Sequence, residues 1–455
     1  MSVAGTAVTW SSKTSFLLAT IGIAVGLGNI WRFPYVVGTN GGAAFVLVYL
    51  LTLLCFAAPI MIAELMLGRQ GQKDPLGSME VLVKQNNAHG AWKMIGILSL
   101  LIPFVALSYY TVVAGWTVDY TVQSALSTFN GISGEGSQSY FQSLAGSPTK
   151  TLLLTLGFIA FSAFIISKGL KDGLEKSVKF LMPLLFIILV LIVFYAAIAG
   201  DFAKGFAYLF SPDLSKITSD VVLAAMGQAF FSLGVGAGSV MAYGGYLGKE
   251  VSIPKSVLVV AGADTLVALL AGLAIFPFVF AFGLEPSSGP GLIFETLPVA
   301  FGQLAGGQWV SFLFFVLLAG AALTTALSML ECLVRYLADK KQISRVRATV
   351  AVATGSSILA VGAALSFSVL SHINPLGFIA TFEGKTIFDL MDFSVSNIMI
   401  PLNALLIVCF AGWVLKEKVV KEEFSTKESV YYKPWLFVVK FIAPIGVFAV
   451  LVTGL

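Results

Sequence analysis

Three ionisable residues, Arg32, Asp264 and Asp392, sit within long apolar stretches of this 455-residue chain. A charge at membrane depth is retained where it faces a protein interior or a cavity and has a partner, so each marks a place where charge is handled. Two other stretches can do chemistry with the backbone itself. Gly22-Ile23-Ala24-Val25-Gly26-Leu27-Gly28-Asn29 and Ser232-Leu233-Gly234-Val235-Gly236-Ala237-Gly238-Ser239 each place three glycines in the middle of an apolar run. Each glycine costs a helix about 1 kcal/mol relative to alanine. Because their spacing forms no single face, local unwinding explains them better than small-residue packing. Unwound carbonyls and amides at that depth are tolerated where they line an enclosed site, and there they hold ions or polar groups.

The elements that must position these groups follow from composition. Charged residues make up 11% of the chain and hydrophobic ones 58%, with 37 Phe; an ordinary soluble protein carries about 25% charge. Such a chain cannot supply the charged surfaces of two or three soluble domains, which excludes a cytosolic enzyme, a nucleic-acid binder and a disordered chain. Its solvent is the lipid bilayer. Eleven apolar runs are long enough to span, at about 14–36, 43–68, 92–124, 150–167, 175–199, 221–246, 255–282, 308–338, 346–370, 387–415 and 434–454. Lipid leaves no partner for free backbone groups, so these runs are expected to be helices. The first run leads into the Gly26-Leu27-Gly28-Asn29 break without a small-residue cleavage site, which speaks against a cleaved signal peptide.

Charge placement sets the expected orientation. With the N-terminus inside, twenty-two of the 27 Lys and Arg fall in cytoplasmic connections, from Lys13 to Lys440 and including Lys427. Lys150, Lys204, Lys216 and Lys385 fall outside, and Arg32 lies within the first run. The positive-inside rule then predicts a multi-pass membrane protein with a cytoplasmic N-terminus and an external C-terminus. Segment 127–147, rich in Ser and Gly, reads as a flexible external loop, and 416–423 as a solvated cytoplasmic one. Cys55, Cys332 and Cys409 lie in apolar runs without metal-ligand spacing. His89 and His372 sit in predicted loops, so no buried Ser-His pair or metal site is expected and the chain is not read as an enzyme. No ring of charges or filter-like repeat suggests a channel.

Runs 1 and 6, which carry the glycine breaks, open two successive sets of five. An odd number per set makes the second enter the membrane from the opposite side. Inverted repeats with paired broken helices point to a secondary transporter whose site lies at the repeat interface. The expected organisation is residues 1–200 for the first repeat, 201–415 for the second, and 416–455 for a cytoplasmic connection and an eleventh helix.

The string Ala24-Val25-Gly26-Leu27-Gly28-Asn29-Ile30-Trp31-Arg32-Phe33-Pro34-Tyr35 resembles the helix 1 signature of the neurotransmitter:sodium symporter family. Asn40-Gly41-Gly42-Ala43-Ala44-Phe45, Pro59 through Glu64, Gly68-Arg69 and Phe230-Phe231-Ser232-Leu233-Gly234 continue the likeness over nearly the whole chain. The resemblance implies an all-α membrane protein of the leucine-transporter-like fold, in a bacterial plasma membrane, and two sodium sites. The first would use the Ala24 carbonyl, Asn29, Ser232, Asp264 and the substrate carboxylate. The second would use the carbonyls of Gly22, Val25 and Ala321 with the hydroxyls of Thr324 and Thr325; taken alone, that Thr pair reads as hydroxyls bonded back to their own helix. Chloride-dependent relatives have Asn at the position of Asp264 and Ser at that of Ala268, so a fixed carboxylate would stand in for chloride and no chloride would be needed.

The same resemblance outlines a substrate site. Gly26 stands where amine transporters have Asp, which leaves room for a substrate carboxylate against the helix 1 segment Ala24, Gly26, Leu27 and Gly28, where a half-helix dipole favours an anion. Tyr110 would bind that carboxylate. Ala106, Val113, Phe231, Ser232, Gly234, Ala237, Thr325, Ala326 and Met329 would complete the pocket, made roomy by Ala237 and Ala326. Arg32, Asp392, Phe231 and Gln228 match the family's outer gate, and Trp10, Tyr246 and Asp339 its inner one. The basic residue expected just before Trp10 is missing, since Ala7, Val8 and Thr9 are uncharged; Lys13 is the substitute at hand. Gly173 and Pro183 match a Gly-nine-residues-Pro spacing that can unwind helix 5. The implied activity is sodium-coupled symport of a small neutral amino acid, hydrophobic or aromatic. A taurine- or GABA-like zwitterion as substrate, and a transporter-derived amino-acid sensor, stay open as alternatives.

Overall fold

The computed structural model describes residues 9–284, 291–424 and 429–454; Ala7, Val8 and Lys427 lie outside them. Among the described residues every element is helical. Two helices are broken: α1, made of Lys13–Ala24 and Gly28–Thr39 at 48° to each other, and α6, made of Ser219–Leu233 and Ser239–Gly244. The other spans are α2 Ala43–Gly71, α3 Gly90–Ala125, α4 Pro148–Ser167, α5 Leu170–Ala199, α7 Ile253–Ala281, α8 Gly307–Lys341, α9 Arg345–Leu365, α10 Ile387–Val414 and α11 Val430–Thr453. These correspond one for one to the eleven apolar runs. Their starts are set by the sequence: Ser12, Ser147, Thr218, Ser252 and Ser344 each accept a backbone N–H of the first turn, which satisfies groups that a helix leaves free.

The broken helices lie in the protein interior. The second half of α6 rests on α2 so closely that a methyl at Gly68 would run into the Met241 carbonyl, and one at Gly244 into that of Leu65. Large apolar side chains on α4, α5, α7 and α9, among them Phe161, Phe180, Phe194, Leu258 and Ile358, instead point outward. In a protein with this composition such a surface is covered by lipid.

Two connections differ from the sequence reading. Segment 127–147 holds a helix, Gly134–Ala145, capped by Ser133. It is held by Tyr140 donating to Asp119 at 2.5 Å and by Phe141 stacked on Phe294, two aromatic anchors that the Ser/Gly-rich composition obscured. Segment 416–423 is only partly solvated: Glu417–Glu422 is helical, Val420 is buried, and buried Glu423 pairs with Arg69 and accepts from Gln70. Around Gly173 the chain forms a π-helix, Leu170–Glu175, and continues as an α-helix through Pro183, so the segment expected to be able to unwind is wound in this conformation.

Candidate functional site at the two helix breaks

The two breaks use glycine for different reasons. In α6, Gly234, Gly236 and Gly238 have φ of 62°, 78° and 89°, a left-handed backbone that glycine adopts without a Cβ penalty. In α1 the glycines serve close approach. A methyl at Gly26 would lie 2.5 Å from Thr325 Oγ1, one at Gly28 2.9 Å from the Phe231 ring, and one at Gly22 3.3 Å from Thr324 Cβ. Close approach, discounted for both stretches from their spacing, is thus what α1 requires.

The α1 break also frees specific carbonyls. The Gly26 amide, which would close a helical turn on Gly22, bonds the Ala24 carbonyl at 3.0 Å instead. The Asn29 amide, which would bond Val25, goes to the Gly26 carbonyl at 3.3 Å. The carbonyls of Gly22 and Val25 are thereby released beside α8. There Thr324 and Thr325 donate their hydroxyl protons back to the Ala321 carbonyl at 2.9 and 3.3 Å. Back-bonding commits the protons and leaves hydroxyl lone pairs, so the arrangement is a set of uncharged hard oxygens suited to a small monovalent cation.

On the other side of the break, Asn29 Nδ2 donates to Asp264 Oδ1 at 2.7 Å and to the Asp264 carbonyl at 3.1 Å. Ser232 Oγ lies 2.9 and 2.8 Å from the two carboxylate oxygens. The hydroxyl of Tyr49, on α2, lies 3.0 Å from Asp264 Oδ2 and 3.1 Å from Ser232 Oγ. All four residues are buried. Asn29 Oδ1 has no hydrogen-bond partner, and an orphan buried acceptor beside a buried carboxylate is an arrangement that suits a cation. Sequence reasoning missed Tyr49 because a tyrosine in an apolar run reads as packing; its signal, a hydroxyl at the depth of Ser232, emerges only from the fold.

A carboxylate of the chain also shapes the α6 break. Glu64 accepts from Gly236 N at 2.7 Å, Gly238 N at 3.1 Å and Met241 N at 3.3 Å. It caps the second half-helix, where the dipole favours negative charge.

Between the breaks, the buried Tyr110 hydroxyl faces Thr325 and the Leu27 backbone and would lie 3.7 Å from a methyl at Gly26. Ala106, Ala237 and Met329 meet in one apolar cluster with Ile102, Met399 and Ile400, the last three unforeseen. Val113 and Ala326 belong to the adjoining core.

The expected gates are partly assembled. Arg32 stacks over the Phe231 ring at 4.3 Å, while Asp392 accepts from Ser396 at 3.1 Å; no direct ion pair joins Arg32 to Asp392 among the described residues. Gln228 sends its amide toward the Gly28 carbonyl, at 3.5 Å, rather than to Arg32. A cavity of about 510 Å³ opens here, lined by Arg32, Phe230, Phe231, Ser396, Ile400 and Pro401. At the opposite, Lys/Arg-rich end, buried Trp10 donates its indole N–H to the Tyr243 carbonyl at 3.2 Å and its backbone N–H to the Tyr246 carbonyl at 3.4 Å. The Tyr246 hydroxyl donates to Glu331 at 2.7 Å, Glu331 pairs with Arg345, and Arg335 stacks on the Tyr246 ring at 3.7 Å. Asp339 lies 3.8 Å from Arg335, so it joins this end through Arg335. Next to Trp10, Glu175 of α5 accepts from Ser11 N at 3.0 Å and from the Ser11 hydroxyl, with Lys179 alongside. Lys13 is exposed.

Known proteins are similar to this chain over nearly its whole length. A sodium-dependent transporter of Haemophilus influenzae is 34% identical over 98% of both chains. The sodium-dependent transporter YhdH of Bacillus subtilis is 34% identical over 97% of this chain and 96% of its own. Among solved structures, MhsT in complex with L-phenylalanine superposes with a TM-score of 0.88 at 38% identity, covering 98% of this chain and 99% of that one. The sodium:neurotransmitter symporter family matches residues 7–133 and 141–455. With both breaks, their oxygen clusters and the full run of spans in place, the chain belongs to the sodium:neurotransmitter symporter family.

Proposed function

We propose that this sodium-dependent transporter carries a neutral, hydrophobic or aromatic L-amino acid together with two sodium ions, by alternating access and without chloride. The observation that carries the reading is the meeting of Gly26, Thr325 and Tyr110 at the α1 break beside the apolar cluster of Ala106, Ala237 and Met329. A substrate carboxylate fits against the Leu27 and Gly28 backbone and the Tyr110 hydroxyl, and an uncharged side chain fits against the cluster. MhsT, the solved relative, binds L-phenylalanine, which supports the same substrate class here.

One sodium ion would take the Ala24 carbonyl, Asn29 Oδ1, Ser232, Asp264 and the substrate carboxylate. The other would take the Gly22, Val25 and Ala321 carbonyls with Thr324 and Thr325. Asp264 supplies the negative charge that chloride supplies in relatives with Asn there. Residues 1–200 and 201–415 act as the two inverted halves around these ions, with the Trp10 end cytoplasmic and the C-terminus outside.

Proteoliposomes loaded without sodium test the reading. Uptake of labelled L-phenylalanine or L-leucine driven by an inward sodium gradient, and unchanged when gluconate replaces chloride, is expected. Binding without uptake would instead identify a sensor, and uptake of taurine or GABA in preference to these amino acids would move the substrate class.

A further inference from the structure

Asn403, on α10, is fully buried and has no part in the ion sites. Its Nδ2 donates to Ser99 Oγ on α3 at 3.0 Å and to the Gly236 carbonyl in the α6 break at 2.8 Å. These bonds fix the amide's orientation, because the reversed amide would set oxygen against the Gly236 carbonyl oxygen. Asn403 Oδ1 is then left buried with no hydrogen-bond partner, and a buried acceptor of this kind calls for a donor.

Donors at the α6 break, among the described residues, go elsewhere. The amides of Gly236, Gly238 and Met241 all go to Glu64. The Cys332 thiol is spent on the carbonyls of Ser99 and Gly238, at 3.5 and 3.9 Å. Among the described residues no donor reaches Oδ1, which leaves it open to one from outside the chain. Its direction follows from the neighbours: Asn403 lies one helical turn from Met399 and Ile400, Ser99 one turn from Ile102, and Gly236 next to Ala237. Those four pack in one cluster with Ala106 and Met329, the apolar wall assigned above to the substrate side chain. At one end this wall reaches a buried acceptor.

We infer that Asn403 is a specificity-determining residue whose Oδ1 accepts a hydrogen bond from the tip of the substrate side chain. The favoured substrates are neutral amino acids with an aromatic side chain ending in N–H or O–H, an indole or a phenol. A site built to receive such a donor discriminates against an analogue that leaves its acceptor unpaired. The inference rests on the amino-acid symport reading.

The test is competition for sodium-driven uptake of labelled L-phenylalanine in proteoliposomes. Tryptophan or tyrosine is expected to inhibit at a concentration at least about tenfold lower than unlabelled phenylalanine, the order of selectivity a buried hydrogen bond provides. Asn403→Leu is expected to bring the three within about threefold of one another, whatever the change in overall uptake rate. Equal inhibition by the three in the wild type, or a preference that survives Asn403→Leu, overturns the assignment. Should the variant fail to fold, the wild type decides alone: 3-(3-benzothienyl)alanine, in which sulfur replaces the indole N–H, must bind at least about tenfold more weakly than tryptophan. Equal binding of that pair overturns it. Absence of sodium-driven uptake of any of these amino acids would strike at the symport reading, whereas sodium-driven uptake without discrimination strikes at Asn403 alone.

Discussion

Asn29 and Asp264 are joined twice, by one amide nitrogen donating to the carboxylate at 2.7 Å and to the same residue's carbonyl at 3.1 Å. The double contact ties the α1 break to α7 and leaves Asn29 Oδ1 without a hydrogen-bond partner beside the carboxylate that holds its nitrogen. The side chain that fixes the break is thereby also the one that offers an oxygen to an ion.

Asp264→Asn should therefore damage sodium binding out of proportion to its size. Asn29, Ser232 and Tyr49 all present hydrogens to this carboxylate, and an amide would meet at least one of them with an N–H. Hydrogen bonds to a buried charge are worth about 1.5–3 kcal/mol each. The sodium concentration for half-maximal uptake should rise at least about tenfold, the equivalent of about 1.4 kcal/mol. A variant with unaltered sodium dependence would remove Asp264 from the ion site.

Glu64→Gln tests the cap on the α6 break. Oε2 accepts from Gly236, and Oε1 accepts from Gly238 and Met241, so an amide in either orientation sets an N–H against a backbone N–H. Leaving one buried donor unpaired costs about 1–3 kcal/mol. The purified protein should melt at a lower temperature, and substrate should recover less of that loss than it does in the wild type. Melting and ligand stabilisation like those of the wild type would show that the break holds its shape without Glu64.

Much of this architecture is legible in the sequence because lipid makes the rules strict. Apolar runs near span length locate α1 to α11, and three glycines in the middle of a run are hard to reconcile with an intact helix. Residues that act by meeting a partner from a distant run are hidden. Tyr49 and Asn403 look like isolated polar residues in spans until the fold sets them beside Ser232 and Gly236. Glu175 is masked by the basic residues around it, and its bond to Ser11 joins positions 164 residues apart. The reason for each glycine was likewise illegible: Gly234 needs a left-handed φ, whereas Gly26 needs only space against Thr325.

Gly26→Ala follows from that space. The added methyl would sit 2.5 Å from Thr325 Oγ1, well inside van der Waals contact, and the Tyr110 hydroxyl lies just beyond. Thr325 belongs both to the proposed second sodium site and to the substrate pocket, so the two should weaken together. Stabilisation of the purified protein against heat by sodium plus substrate should fall at least about tenfold in apparent affinity. Affinity like that of the wild type would show that the α1 break has slack and that substrate binds elsewhere.

Cys332 supplies a native reporter for the Trp10 end. Its sulfur is buried, 3.5 Å from the Ser99 carbonyl and 3.9 Å from that of Gly238, one residue beyond Glu331, which accepts from Tyr246. In a Cys55→Ser, Cys409→Ser background it is the remaining thiol, so its reaction with a membrane-impermeant reagent measures how often this end opens. Trp10→Ala removes two aromatic contacts with Tyr243 and Tyr246 and the indole bond to the Tyr243 carbonyl. Truncating a buried Trp costs about 3–5 kcal/mol in a packed core; because Trp10 sits at the rim, a smaller shift is expected, at least about tenfold in labelling rate. Sodium should slow labelling in both proteins, since the proposed second site needs α1 packed against Thr324 and Thr325. If Trp10→Ala labels no faster than the parent, closure of this end rests on the Glu331–Arg345 and Ser11–Glu175 contacts, and Trp10 is packing rather than a gate.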